Sequence, residues 1–420
     1  MKKNTRLFRR KAKQNTITLV LSLFFLGLIA PVQAQDLQFY IQEAEQNNPD
    51  IKAYELRYAN AKEKVNEVYS LPNTTVSAGY FVSEPETRTG AQRARFSVSQ
   101  MLPWFGTITA RENYASAMAE AEFEEIAIAK RKLALSVAQS YYDLYAIRAK
   151  QAVLDQNIQL LKTYEELALT SVEVGKASAV DVLRLQIRQN ELDQQKQLLE
   201  EEYLATQATF NTLLNREETV AVEVINQLAM PEEDEVYSND QLALNPELIK
   251  YDRLFASVKQ AELLNQKERG PNVGIGLDYV PVSERPEMNF SDNGKDIVMP
   301  MVSVSIPIFN KRFGSVTKQN ELRQLELASQ KEQRFNTLRV AFAKAKTKRN
   351  QARITYETQL KNLKQAKDAE EILTKNYETG TIDFNDVLDI QELQLKFQNN
   401  QIEAVRQYYS QWAMINYLIN

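Results

Sequence analysis

Gly175-Lys-Ala-Ser-Ala-Val-Asp181-Val-Leu-Arg-Leu-Gln186 returns 205 residues later as Gly380-Thr-Ile-Asp-Phe-Asn-Asp386-Val-Leu-Asp-Ile-Gln391. The echo extends in both directions. Upstream, Gln100-Met-Leu-Pro103-Trp-Phe105-Gly106 corresponds to Ser-Ile-Pro307-Ile-Phe309-Asn310 at an offset of 204, Pro72-Asn73 to Pro271-Asn272 at 199, and Asn48-Pro49 to Asn245-Pro246 at 197. Downstream, Asn211-Thr-Leu-Leu-Asn215 corresponds to Asn416-Tyr-Leu-Ile-Asn420 at 205. Five matches at a slowly growing offset imply one structural unit used twice. The reading gives a first repeat over 35–215, a second over 245–420, and an inter-repeat segment over 216–244.

Glycine and proline mark out the helices. Thr107 to Val174 contains neither residue over 68 positions, and Ser315 to Thr379 contains neither over 65. As helices, each would run about 100 Å at ~1.5 Å per residue. Gly175 and Gly380 then interrupt the chain, and further helices are expected over 176–215 and 381–420. Shorter runs, Asp50 to Leu71 and Glu247 to Arg269, precede each long helix on the far side of a Gly/Pro-rich stretch. In the first long helix, Phe123, Ile126, Leu133, Val137, Leu144, Ile147, Leu154, Ile158 and Leu161 form a seam stepping by threes, fours and sevens. Ile128, Leu135, Tyr142, Ala149, Val153, Leu160 and Leu167 form a second seam on the roughly opposite side. Two seams call for a neighbour on each side, as in the wall of a helical cylinder or the inside of a compact bundle.

Between the short and long helices the period changes to two. Val76, Ala78, Tyr80 and Val82 alternate with Thr75, Ser77, Gly79 and Phe81; Phe96 and Val98 alternate with Arg95, Ser97 and Ser99. Val273, Ile275, Leu277 and Tyr279 alternate with Asn272, Gly274, Gly276 and Asp278, and Val302, Val304, Ile306 and Ile308 with Met301, Ser303 and Ser305. Strands are therefore expected at about 73–82, 93–102, 272–280 and 297–308, each with one apolar and one small or polar face. That pattern suits a transmembrane strand, or a hairpin packed on helices. Four strands cannot close a membrane barrel, since the smallest need about eight, and an open edge is costly in lipid. Membrane closure would need several chains, and three supply an even number, twelve.

Composition narrows the chemistry. The 420 residues include no cysteine and no histidine, which removes disulfides, thiolate catalysis, the usual zinc sites and histidine-based acid–base catalysis. Residues 1–34 read as a secretory signal: seven basic side chains from Lys2 to Lys13, an apolar run from Ile17 to Ala30, then Val32-Gln33-Ala34. That run is shorter than the roughly 20 residues a spanning helix needs. Without those seven charges, 44 basic side chains face 55 acidic ones for a net charge of −11, a poor nucleic-acid binder. The eight methionines form no cluster along the chain and read as packing residues.

The two Gly-x5-Asp-Val-Leu turns, the Pro-x-Phe strand ends and the paired Asn-Pro helix starts together resemble the TolC-type outer-membrane efflux proteins over residues 36 to 420. The resemblance implies a mainly α fold with a transmembrane β part, trimerising into a 12-stranded β-barrel on a long α-helical barrel. It also implies a periplasmic adaptor and an inner-membrane pump as partners, contact with outer-membrane lipid, no cofactor and no enzymatic step. By the same resemblance Val174, Gly175, Thr379 and Gly380 are the adaptor-docking tips. The periplasmic gate falls on Asp386 and Asp389, with Asp181 and Tyr377 as helpers. Three residues apart on a helix, Asp386 and Asp389 share a face; in a trimer they would form two acidic rings favouring cations. The alternative is that each aspartate is a solvated helix-start residue interacting with the helix dipole. Ile382 stands where one well-known member of that family has an arginine, so that member's closing ion-pair network does not transfer. The competing reading is a periplasmic coiled-coil adaptor with no pore, and the substrate and the role of 216–244 are open at this stage.

Overall fold

The computed structural model describes residues 37–175, 178–379, 381–382 and 384–419. The segment read as a signal and the tip glycine Gly380 lie outside the described residues. In chain order come helices α1 (Leu37–Asn47) and α2 (Pro49–Val68), strands β1 (Thr75–Tyr80), β2 (Glu86–Thr87), β3 (Gly90–Ala91) and β4 (Ala94–Leu102), and helices α3 (Thr107–Glu173) and α4 (Ala179–Leu213). A 3-10 helix (Asn239–Leu244), α5 (Pro246–Glu268), β5 (Asn272–Val280), β6 (Ile297–Ser305), α6 (Arg312–Glu378) and α7 (Phe384–Ile419) complete the chain. Contacts divide these elements into two compact units. One takes the chain up to Gln46, Ser136–Glu232 and Lys348–Gln411; the other takes Asn47–Leu135, Glu233–Thr347 and the chain from Trp412 on.

Local chemistry sets the helix starts. Asn48 Oδ1 accepts from the Asp50 amide at 2.9 Å, and Asn245 Oδ1 from the Glu247 amide at 2.9 Å. In both, proline occupies the first helical position, where its missing N–H costs nothing, and an acid follows to meet the positive helix end. α6 starts at Arg312, three residues before the glycine-free run, because Asn310 Oδ1 caps the Arg312 amide at 2.9 Å. Gly314 is thus carried in the first turn at a cost of about 1 kcal/mol.

The first unit is a helical body. Leu154, Ile158, Leu161, Tyr164 and Ala168 of α3 pack with Val182, Leu185 and Leu192 of α4, Tyr377 of α6, and Phe384, Val387 and Leu395 of α7. Each fully buried leucine contributes roughly 1.5–3 kcal/mol. From Ile126 to Leu161 the first seam of α3 is buried, whereas Phe123 is half exposed and its ring meets that of Tyr58 at a tilt of 57°, with centroids 5.3 Å apart. Of the second seam, Ile128 and Tyr142 are buried and the other members are only partly covered.

In the same unit, the chain after α4 forms neither helix nor strand through Pro231. Helix side chains occupy its backbone groups instead. Tyr203 OH donates to Val222 O (3.2 Å), Gln207 Nε2 to Val220 O (2.9 Å) and Asn211 Nδ2 to Glu218 O (2.8 Å). The Ile225 and Leu228 amides donate to Tyr141 OH (3.1 Å) and Tyr145 OH (3.2 Å), and Tyr409 OH donates to Ala229 O (2.6 Å). Backbone polar groups shielded from water need partners, and here α3, α4 and α7 supply them.

The second unit holds the sheet, with order β1-β4-β5-β6 and every pairing antiparallel. Pairing places Val76, Val98, Leu277 and Pro300 in one row, and Ala78, Phe96, Tyr279 and Val298 in the next. The opposite face carries Thr75, Ser99, Gly276 and Met301, then Ser77, Ser97, Asp278 and Met299. β6 stops at Ser305, short of the expected 308, because Pro307 has no N–H to continue a ladder. β1 begins at Thr75 instead of 73, where the Gln100 side chain takes over by donating to Pro72 O at 2.7 Å, and it ends at Tyr80, two residues before the expected 82. Beyond the strands, the two loops are joined: the Ser283 amide donates to Ala91 O and the Gly294 amide to Thr89 O, both at 2.8 Å, and Arg88 pairs with Asp292 at 2.8 Å.

Candidate gate at the helix ends

The α3–α4 turn is built on Gly175, whose φ of +73° lies in the left-handed region. Its amide reaches back to Val172 O at 3.0 Å, and Val174 beside it is exposed. α4 then opens with a capping box: the Val180 amide donates to Ser178 Oγ (3.2 Å) and the Ser178 amide to Asp181 Oδ2 (3.3 Å). Asp181 is buried, with Arg184 Nη1 at 3.8 Å. Arg184 in turn donates to Asn385 Oδ1 at 2.5 Å, so Asp181 serves its own helix start and is linked to α7 through Arg184.

At the second turn Thr379 Oγ1 and Thr381 Oγ1 both donate to Asn376 O, at 2.9 and 2.8 Å, closing the end of α6. Ile382 packs on the hydrophobic cluster. Tyr377 is buried; its ring meets Phe384 edge-on at 4.8 Å, and Phe384 meets Tyr164 edge-on at 5.7 Å. Asp386 and Asp389 lie on the exposed face of α7, opposite Phe384 and Val387. Glu392 extends that face by the same three-residue step and joins Asp389, Lys396 and Arg188 around a cleft of about 480 Å³.

A polar group behind this face is absent from the sequence reading. Glu370 of α6 accepts from Tyr164 OH at 2.5 Å, from Gln391 Nε2, and from Gln394 Nε2 at 2.7 Å. Gln391 and Gln394 are buried on the side of α7 away from Asp386 and Asp389. Burial, then the hydrogen bond to Glu370 and its charge, push the Tyr164 hydroxyl well above the usual tyrosine range. The partners lie 206, 21 and 24 residues from Glu370, so no local pattern reveals them. Glu392 was legible as a third step after Asp386 and Asp389.

Among the described residues no group of His, Cys, Asp and Glu is arranged to hold a metal ion. No described helix is long and apolar enough to cross a membrane. The described residues thus combine long unbroken helices with a four-stranded sheet that has one exposed apolar face. The outer membrane efflux protein family model matches residues 40–216 and 242–420. Solved structures with the same fold include CusC, described through its folding and transmembrane channel formation (15% identity, TM-score 0.74, covering 91% of this chain and 92% of that one). The outer membrane protein VceC of Vibrio cholerae matches at 16% identity and a TM-score of 0.71 over 91% and 95% of the two chains. The MtrE outer membrane channel of Neisseria gonorrhoeae in its open state matches at 15% and 0.70 over 91% and 88%. No curated protein matches the sequence. The chain belongs to the outer membrane efflux protein family, and is an outer-membrane transport protein with its helical part in the periplasm.

Proposed function

We propose that three copies of this chain close a twelve-stranded barrel in the outer membrane above a periplasmic helical tunnel. The tunnel takes small molecules or ions from a periplasmic adaptor and an inner-membrane pump and releases them outside. The two sequence repeats supply equivalent parts of the wall, and the segment 216–244 belts its middle. The observation that carries this reading is the sheet. β1 and β6 each leave an edge unpaired within the chain, while one face exposes Val76, Val98, Leu277, Val298, Val302 and Val304. An apolar exposed face calls for lipid, and unpaired backbone groups in lipid cost several kcal/mol each. A further copy at each edge removes that cost. A pore-free adaptor gives no reason for such a face.

The gate in this reading is the acidic face of α7, Asp386 and Asp389 repeated three times, with Asp181 and Tyr377 holding the helix ends in place. Val174-Gly175 and Thr379-Gly380 meet the adaptor. The test is single-channel recording on the purified protein in planar bilayers. Wild type conducts with cation preference, and Asp386→Ala with Asp389→Ala moves the reversal potential in a salt gradient toward the non-selective value. An unchanged potential refutes the gate assignment, and a stable monomer without conductance refutes the channel.

A further inference from the structure

We propose that the cleft where α3 and α6 begin, below the sheet, is a binding site for a phosphate-type oxyanion. Thr107, Arg111, Glu268, Gly270, Asn272, Ser305 and Arg312 are among the residues lining a cavity of about 330 Å³. Three observations point to an anion there.

The first is the Thr107 hydroxyl. Thr107 is 2% exposed, and its Oγ1 has no hydrogen-bond partner among the described residues. An unpaired hydroxyl shielded from water is costly, and a ligand oxygen in the adjoining cavity relieves it. The second is the balance of charge. Arg111 and Arg312 share one carboxylate, Glu268, at 3.3 and 3.8 Å. The longer contact exceeds hydrogen-bond length, so the Arg312 guanidinium, largely exposed, keeps donors for another acceptor. The third is helix direction. The positive ends of α3 and α6 converge on this cavity, and neither carries an acid in its first turn, whereas α2, α4, α5 and α7 all do. Lys311 and Arg312 at the start of α6 add like charge to an already positive end, which an anion offsets.

Asn272 pairs with Ser305 as the last rung of the polar face, the face of Gly274 and Ser303. The cleft therefore opens on the side away from the apolar rows, which favours a water-borne oxyanion over a lipid headgroup. A tetrahedral group with several acceptors suits a hydroxyl, guanidinium donors and a helix end together. That the site faces the export duct rests on the proposed function, but the binding itself does not.

The experiment is calorimetric titration of the full, delipidated chain in detergent with inorganic phosphate at constant ionic strength. Saturable binding is expected, weakened about fivefold or more in Arg312→Gln and in Thr107→Val, the scale of one lost hydrogen bond. Arg312 is exposed, so Arg312→Gln is expected to keep the wild-type thermal midpoint, which separates lost binding from lost folding. Absence of saturable binding in wild type, or wild-type binding in both variants, overturns the site. In a second arm, short-chain phosphatidylglycerol below its micelle concentration is titrated into the same delipidated sample; binding tighter than that of inorganic phosphate, and not displaced by it, overturns the water-borne assignment. Loss of conductance with phosphate binding intact removes the channel reading and leaves the site standing.

Discussion

Glu370 accepts hydrogen bonds from α3 and α7 at once, and removing one donor measures how firmly α7 is held. Tyr164→Phe deletes a hydroxyl at 2.5 Å from Glu370 Oε1, at a residue only 8% exposed. A hydrogen bond to a charged group contributes about 1.5–3 kcal/mol. Because Gln391 and Gln394 still satisfy the carboxylate, Tyr164→Phe should fall near the lower end, about 1.5 kcal/mol. Glu370→Gln removes the charge while nearly preserving shape, and a double-mutant cycle between the two isolates their coupling. Guanidinium unfolding of the detergent-solubilised protein, followed by helical circular dichroism, gives the four stabilities. Coupling of about 1–2 kcal/mol is expected; coupling within about 0.3–0.5 kcal/mol of zero, the usual limit for independent sites, refutes the clamp. Replacing Glu370, Gln391 and Gln394 by leucine together with Tyr164 by phenylalanine, so that no member of the group is left unpaired, should leave stability nearly unchanged, since well-packed apolar groups commonly replace buried polar ones without loss. The same quadruple variant should loosen the position of α7 and raise the open fraction in bilayer recordings.

Two further outcomes follow from the same physics. Burial, first among the causes, raises the hydroxyl pKa of Tyr40, Tyr145, Tyr164, Tyr409 and Tyr417. Their contribution is complete below the unfolded value of about 10 and is lost as pH rises toward the folded values, because the unfolded chain releases its protons first; thermal midpoints at stepped pH should hold to about 10 and fall above it. Asn245→Ala removes both the α5 cap and the 2.9 Å bond from Asn245 Nδ2 to Leu418 O, and at a residue 1% exposed it should cost about 2–4 kcal/mol, read from the shift in denaturation midpoint at unchanged slope.

Much of the helical layout was legible because a run of 65 residues without glycine or proline has few alternatives to a helix. Asn48-Pro49 and Asn245-Pro246 announced helix starts because a side-chain acceptor before proline is a local device. Strand alternation located the sheet, but its ends depended on pairing: the Gln100 side chain displaces the first rungs of β1, and Pro307 ends β6 early. Ser178 and Asp181 carried a readable capping pattern, which fixes Asp181 to its own helix. Glu370 carried none, since its donors arrive from distant sequence, and Thr107 became informative only once its hydroxyl lacked a partner.

The stretch between Glu218 and Ala229 is held through its main chain, by Asn211, Gln207, Tyr203, Tyr141, Tyr145 and Tyr409 on the neighbouring helices. Main-chain atoms are common to all residues, so the instructions for this path are stored elsewhere. Homologous proteins could therefore rewrite the path's own letters freely while retaining its course, whereas losing the distant tyrosines would erase it.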